Sequence, residues 1–354
     1  MNRLVGVAVL VSGVAMTLGA MQAAEQAPLQ QPAWAYAIPP APPPGATPPA
    51  PARDDGKIFS MTGSTKQFTF NQIRGRRDND TPARIAPADW FPGDHPNMPK
   101  IVSDGDESRG IIACSLCHYP NGKGRAENAA PAGLPKEYIV RTLKNMKNDQ
   151  RASAERRKNN TQAMVSFAKA MTDQEIDAAA DYFAAMKWTP WIKVVESDIS
   201  PKVRSAAGLY IPLEGADAGT EPLGNRIVEV PENPEATEML RHPRSGFVAY
   251  VPIGSVAKGK DLATTGGNGK TTACTICHGA DLNGVGSVPG IGARSPSYNA
   301  RQLNDFKQGA RHGDMADLMR NVVANLSQED VVNLTAYLAS LPAPAAIAYQ
   351  QAAN

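Results

Sequence analysis

The sequence predicts a mainly α protein: two copies of one small domain in tandem, with a short β-containing stretch between them. Three observations carry this. The stretch "IIACSLCHYPNGKG" at 111–124 returns as "TTACTICHGADLNG" at 271–284. A constant offset of 160 continues past these motifs, pairing Tyr138 with Tyr298, Arg141 with Arg301, Leu143 with Leu303, Lys147 with Lys307 and Arg151 with Arg311. After a loss of five residues the offset becomes 155, and it pairs Met164 with Met319, Thr172 with Ser327, Glu175 with Asp330 and Tyr182 with Tyr337. Each copy is roughly 90 residues long, near the lower limit for an independent fold, so an enclosed apolar group would help to complete its core.

Residues 1–24 read as a secretory signal: Arg3, an apolar run from Leu4 to about Ala20, then small residues at Ala23 and Ala24. The alternative is an uncleaved anchor, since the run reaches the lower end of the roughly 17–25 residues that span a bilayer. A Pro-rich linker follows at 25–56, where "IPPAPPPGATPPAPA" from Ile38 to Ala52 favours extended conformations and reads as a spacer. An arm at 57–99 carries aromatics expected to lie on the first repeat, with "RGRRD" as a solvated charge run.

The first repeat occupies 100–190. "YIVRTLKNMKNDQR" has helical spacing, with its basic residues expected outside the apolar stripe. Thr172-Asp-Gln-Glu175 reads as a capping box, and Ile176, Ala179, Ala180 and Phe183 form the core stripe of the helix it starts. From 191 to 255 the texture changes. "GLYIPL", "GNRIVEVP" and "GFVAYVP" are short β-type runs bounded by glycine and proline, read as bracing between the repeats, with a docking surface as the alternative. The second repeat spans 256–345, capped at Ser327-Gln-Glu-Asp330 and stopped by "LPAP", and a tail closes the chain at 346–354.

Each motif is Cys-x-x-Cys-His, and the two use all four cysteines: Cys114, Cys117, Cys274 and Cys277. In an exported chain, free thiols and zinc thiolates are disfavoured. A Cys-x-x-Cys disulfide closes too short a loop to constrain the unfolded chain much. A redox dithiol needs a βαβ context that neither motif has, and structural zinc needs four ligands where each motif has three. Covalent c-type haem accounts for every part, with two thioethers and an adjacent proximal histidine, His118 or His278.

For the sixth ligand the first repeat offers Met146, Met164, Met171 and Met186, and the second Met315 and Met319. Met146 aligns with Phe306, Met171 with Leu326 and Met186 with Leu341, which marks them as core fillers. Only Met164 and Met319 correspond, so the expected ligand pairs are His118/Met164 and His278/Met319. His95, His242 and His312 read as solvated, His312 being the alternative ligand in the second repeat. Each proximal histidine needs an acceptor for its other ring nitrogen, and Pro131 and Pro289 stand in the loops that would provide it.

With these motifs, and with "MVSFAKAMTDQEIDAAADYFA" and "LMRNVVANLSQEDVVNLTAYLASLP", the chain resembles the tandem two-haem class I cytochromes c of the c-four type. The resemblance covers both repeats and implies two class I cytochrome c domains holding two covalently bound haem c groups that face each other across a domain interface. It also implies a periplasmic carrier of single electrons between a dehydrogenase or quinol-oxidising complex and a terminal acceptor. Redox partner proteins follow, a periplasmic dehydrogenase or membrane oxidase. The alternatives are a cytochrome subunit of a dehydrogenase complex and a dihaem peroxidase, which would need open iron coordination. Membrane association is expected only if the N-terminal segment is retained. Nucleic acid is excluded by export and by a net charge of +2 from 36 basic and 34 acidic residues. Lys144, Lys147, Arg151, Arg156, Arg157 and Lys158 are expected either to steer an acidic partner or to form a solvated helix face.

Overall fold

The computed structural model describes residues 31–45, 54–76, 84 and 86–343. The signal or anchor segment, linker residues 46–53, Arg77 and Asp78 of the charge run, and the tail lie outside the described residues. Among the described residues no helix is long and apolar enough to cross a membrane.

The first repeat folds into three main helices: α1 (Lys136–Lys147), α2 (Asn159–Ala170) and α3 (Asp173–Ala184). The intervening stretch supplies β1 (Ile192–Glu196), β2 (Val203–Ala206), β3 (Leu209–Pro212), β4 (Val228–Pro231) and β5 (Phe247–Val251). The second repeat contains α4 (Ser255–Thr265), α5 (Pro296–Lys307), α6 (Asp317–Val323) and α7 (Gln328–Ser340). Both capping boxes form: Thr172 and Glu175 satisfy each other's backbone N–H at the start of α3, as Ser327 and Asp330 do at α7. Ile176, Ala179, Ala180 and Phe183 are all buried in the first core.

The repeats differ at their N-terminal helix. In the second, α4 crosses α7 closely because Gly259 has no side chain: a Cβ there would sit 1.9 Å from the Asn333 carbonyl oxygen. In the first, no comparable helix precedes the motif among the described residues; the short turns Lys100–Ser103 and Glu107–Arg109 touch α3 instead.

Between the repeats β4, β5 and β1 form one sheet in that order, β4 antiparallel and β1 parallel to β5. Ala249 and Val251 on β5 pack with Ile227 on Val332 and Ala336 of α7. Phe247, on the same strand, meets the Trp191 ring edge-on at 5.3 Å and belongs to the first core. Glu229 on β4 is buried and accepts from Ser295 Oγ (2.8 Å) and Ser297 N (3.2 Å) at the start of α5. β2 and β3 pair separately, and Leu209 and Ile211 of β3 join the first core.

The N-terminal segments do more than space and cover. Ala35 and Tyr36, at the edge of the Pro-rich linker, are buried in the second core, and Ala37 beside them is buried as well. Asn304 Nδ2 donates to the Tyr36 hydroxyl (2.9 Å) and Arg301 to the Ala35 carbonyl (2.6 Å). This part of the linker is therefore docked on α5 and not a free spacer, because its aromatic ring fills core space. The arm builds its own small core from Met61, Ile73, Trp90 and Phe91, closed by Leu240 from the interrepeat stretch. Arg74, the first residue of the charge run, donates to the Glu238 carbonyl. Its contacts with the first repeat include Met98, His95, whose ring meets Tyr182, and Arg84, whose backbone N–H donates to the Glu107 carboxylate (3.0 Å).

The two repeats meet about a local pseudo-twofold. Arg151 and Arg311, which correspond in the repeat, form an antiparallel β-bridge, flanked by Ala152 N to Ala310 O (2.8 Å) and His312 N to Gln150 O (2.9 Å). Arg311 donates to the Tyr138 hydroxyl and Arg151 to the Tyr298 hydroxyl, each at 3.1 Å. This overturns the placement of these basic residues on the outside of their helices: Arg151, Arg301 and Lys158 are buried. Of the remaining basic cluster, Lys144 and Lys147 face Asp173, and Arg157 pairs with Glu155 (2.7 Å). The run is dispersed because two of its six residues, Arg151 and Lys158, are turned inward by the loop between α1 and α2.

Two predictions follow from these contacts. Gly259→Ala should lower stability by about 3 kcal/mol, since a backbone oxygen cannot retreat from the added methyl, and thermal unfolding of the purified protein would register it. Glu175 is held at about 2 by its bonds to Arg109 and to the Thr172 cap, against an ordinary 4.5. A depressed carboxyl contributes stability that is present above pH 4.5 and lost as pH falls towards 2. Glu175→Gln should therefore cost about 1 kcal/mol at pH 7, the size of a capping interaction, with the difference vanishing near pH 2 in denaturant titrations.

Candidate functional site

Each motif begins a helical turn, Cys114–His118 in the first repeat and Thr275–His278 in the second, set against a large apolar cleft. The first cleft encloses ≈ 1300 Å3, solvent mouth included, and the second ≈ 1620 Å3. Cys114, Cys117 and His118 line the first, and Cys274, Cys277 and His278 the second. No two of these cysteines form a disulfide. Burial raises the Cys114 thiol to about 12 and the Cys274 thiol to about 11, so both are held neutral and are not exposed reactive thiolates.

Both histidines are buried, and both are oriented by one carbonyl. His118 Nδ1 donates to Ala129 O at 2.8 Å, and His278 Nδ1 to Pro289 O at 2.7 Å. A carbonyl only accepts, so the proton is on Nδ1 and the lone pair on Nε2, the tautomer a metal requires. Burial lowers both rings below the ordinary histidine range, which keeps them neutral. Pro289 fills the expected role but Pro131 does not: the acceptor is Ala129, 160 residues before Pro289. The repeat offset therefore identifies the right atom, and proline itself is immaterial because only its carbonyl is used. The residue after each histidine has positive φ, +85° at Gly279 and +60° at Tyr119. Tyr119 is kept in that costly conformation by burial and by Arg241 over its ring at 5.5 Å.

Met164 on α2 and Met319 on α6 line the first and second clefts from corresponding positions. Met146 and Met171 also line the first cleft, and their counterparts Phe306 and Leu326 line the second, as wall residues do. Met186 is in the first core and lines neither cleft. Met315 lines the second cleft and is mostly exposed. His312 is exposed and lines neither, so only its backbone serves the interface. His95 and His242 are not solvated as expected. The His95 side chain is 4% exposed and bonds Asp89 (3.2 Å) and Pro96 O (2.8 Å), and His242 accepts from Arg244 N beside the Phe91 ring.

The clefts share a wall. Leu134, Tyr138, Thr142, Tyr298 and Gln302 line both, so groups held in them lie on either side of the pseudo-twofold. Burial would raise the Tyr138 phenol, but Arg311 and Arg151 outweigh it and bring it down. Lys158 was read only as one of a charge run. It lines the first cleft with its Nζ buried and unpartnered, and burial lowers it to about 7, with Arg301 adding to the effect. An orphaned cation calls for an anion, which a haem propionate supplies. The apolar walls, paired cysteines, correctly tautomeric histidine and orphaned cation together fit haem c.

A profile of the family described as Cytochrome c matches residues 109–187 and 256–342. The chain is 37% identical to the thiosulfate dehydrogenase electron acceptor of Stutzerimonas stutzeri over 28% of its own length and 46% of that protein's. It is 32% identical to cytochrome c-554(548) of Halomonas halodenitrificans over 21% of its length and 90% of that protein's. With cytochrome c4 of Stutzerimonas stutzeri the identity is 24%, over 69% of this chain and 92% of the other.

If Lys158 holds positive charge beside the first haem, removing it favours the ferric form. Lys158→Met should retain both haems and lower only one midpoint, by roughly 30–60 mV, in a spectroscopic redox titration.

Proposed function

The chain is a member of the cytochrome c family carrying two covalent haem c groups for electron transfer, and from that premise we propose a periplasmic carrier ligated by His118/Met164 and His278/Met319. It would pass single electrons between a dehydrogenase or quinol-oxidising complex and a terminal acceptor. The observation that carries this reading is the shared wall between two equivalent clefts, each with one proximal histidine and one corresponding thioether.

Bound haem c supplies reversible one-electron exchange at its iron, and the protein sets potential, orientation and access. Ala129 O and Pro289 O fix the imidazole rings and leave Nε2 unprotonated. Met164 and Met319 would each offer a thioether to the iron, which would favour the ferrous form and leave a substrate no place to bind. Tyr138, Tyr298 and their arginines hold the two clefts at a fixed separation, and the apolar walls exclude water. A second reading, a cytochrome subunit bound to a dehydrogenase, is supported by the name of the relative called a thiosulfate dehydrogenase electron acceptor. Affinity purification of the tagged holoprotein from its native cell separates the two: a stoichiometric dehydrogenase favours the subunit.

The oxidised protein should show the weak thioether-to-iron charge-transfer band at the red end of the visible spectrum. That band should fall by half in Met164→Ala and by half in Met319→Ala. Peroxide should not be turned over at an appreciable rate. An unchanged band in either variant removes that ligand, and rapid peroxide consumption with a high-spin signal removes the carrier reading.

A further inference from the structure

The two attachment edges are equivalent in sequence and opposite in exposure. At the first, Arg241 reaches in to donate to the Leu116 carbonyl, inside the motif itself. Asn121 Nδ2 donates to Pro243 O at 2.8 Å, and Arg125 pairs with Glu238 at 3.1 Å. The plug at 235–244 is anchored from behind by the arm, through Trp90 Nε1 to Leu240 O (2.8 Å) and Arg244 to Asp94 (2.6 Å). Residues 118–120 and 122–127 are consequently buried.

Nothing among the described residues covers the second edge in this way. Ile276, between the two cysteines, is 73% exposed, and Val285 just beyond the motif is 59% exposed. Across the mouth of the same cleft stand Met315, 51% exposed, and Leu318, 64% exposed. These are four of the eight large apolar residues exposed among the described residues, gathered round one opening. Apolar groups concentrated in this way mark a contact surface. Two ion pairs stand beside them, Lys270 with Asp330 (2.5 Å) and Arg320 with Asp317 (3.8 Å). The exposed Asp314 next to Met315 is the one lining carboxylate among the described residues without an ion pair. The rim therefore offers mainly apolar contact area with little net charge.

We propose that partners exchange electrons only at the second attachment edge, docking on the apolar collar of Ile276, Val285, Met315 and Leu318, and that the 235–244 plug covers the corresponding edge of the first motif. The partner is a redox protein with an apolar, weakly charged contact face. Each encounter passes one electron: the partner's reduced centre loses it, the ferric iron of the second cleft gains it, and no bond is made or broken. The first cleft fills and empties across the shared wall. The proposal rests on the dihaem carrier reading and adds to it which end is used.

The holoprotein can be tested on gold coated with a methyl-terminated alkanethiol, which stands in for an apolar partner face. Adsorption is followed by surface plasmon resonance and electron exchange by voltammetry. Wild type should bind, exchange electrons at both potentials, and change little between 10 and 500 mM salt. The double variant Ile276→Lys/Leu318→Lys should bind and exchange at least tenfold more weakly at both potentials. Ile199→Lys, a half-exposed apolar position on the strand Ile199–Pro201, should behave as wild type. The two-haem spectrum of each variant checks the carrier reading separately. Equal loss in the Ile199 control, no loss in the double variant, or loss at only one potential overturns the proposal. So does a wild-type dimer in sedimentation that the double variant abolishes, since the collar would then be buried against a second copy.

Discussion

The exchange of tyrosine and arginine across the pseudo-twofold is the contact on which the arrangement depends. Arg311 bonds Tyr138, Arg151 bonds Tyr298, and the two arginines also pair through their backbones. Buried guanidinium groups are costly unless their donors are used. Here Arg151 also donates to Thr142 and Gln302, and Arg311 to Gln302, so the cations are satisfied where the repeats meet. Because Tyr138, Tyr298 and Gln302 line both clefts, the residues that join the domains also separate the cofactors. Domain docking and electron-transfer distance are thus set by the same side chains.

The stretch between the repeats gives this symmetric pair an asymmetric setting. Its sheet shares apolar surface with α7 of the second repeat and, through Phe247 and Trp191, with the first core. Glu229 ties the sheet to the cap of α5. The following turn, with the N-terminal arm behind it, covers one attachment edge. The stretch also completes the first core through Leu209, Ile211 and Phe247. Covering one edge makes two equivalent sites different in access.

Much of the site was legible in the chain because covalent attachment and iron ligation constrain residue type at fixed spacing. Cys114, Cys117, His118 and their counterparts could be recognised from spacing and compartment alone. The repeat also held information that residue type obscured. Tyr138 and Arg151 correspond to Tyr298 and Arg311 in the repeat, and the helical spacing suggests an outward face for the basic residues. All four are interface residues, and their retention as polar pairs was the available signal. Pro131 matches Pro289 in residue type, whereas the repeat offset points to Ala129. Lys158 gave no signal at all, since a lysine in a basic run looks the same whether its ammonium is in water or in a cleft.

The sequence by itself determined the repeat, the helices and their caps, and the four cysteines and two histidines that hold the cofactors. These are local or periodic properties, written in spacings of a few residues. Only the tertiary structure decided which carbonyl orients each imidazole, which cations are buried, and which edge is covered. Each imidazole's acceptor lies eleven residues along the chain, chosen by how the loop after the motif folds back. The burial of the cations and the covering of one edge depend instead on contacts more than a hundred positions apart, such as Arg241 with Leu116 and Arg311 with Tyr138. No periodicity records such contacts, because they are selected by how separately folded surfaces fill space against one another.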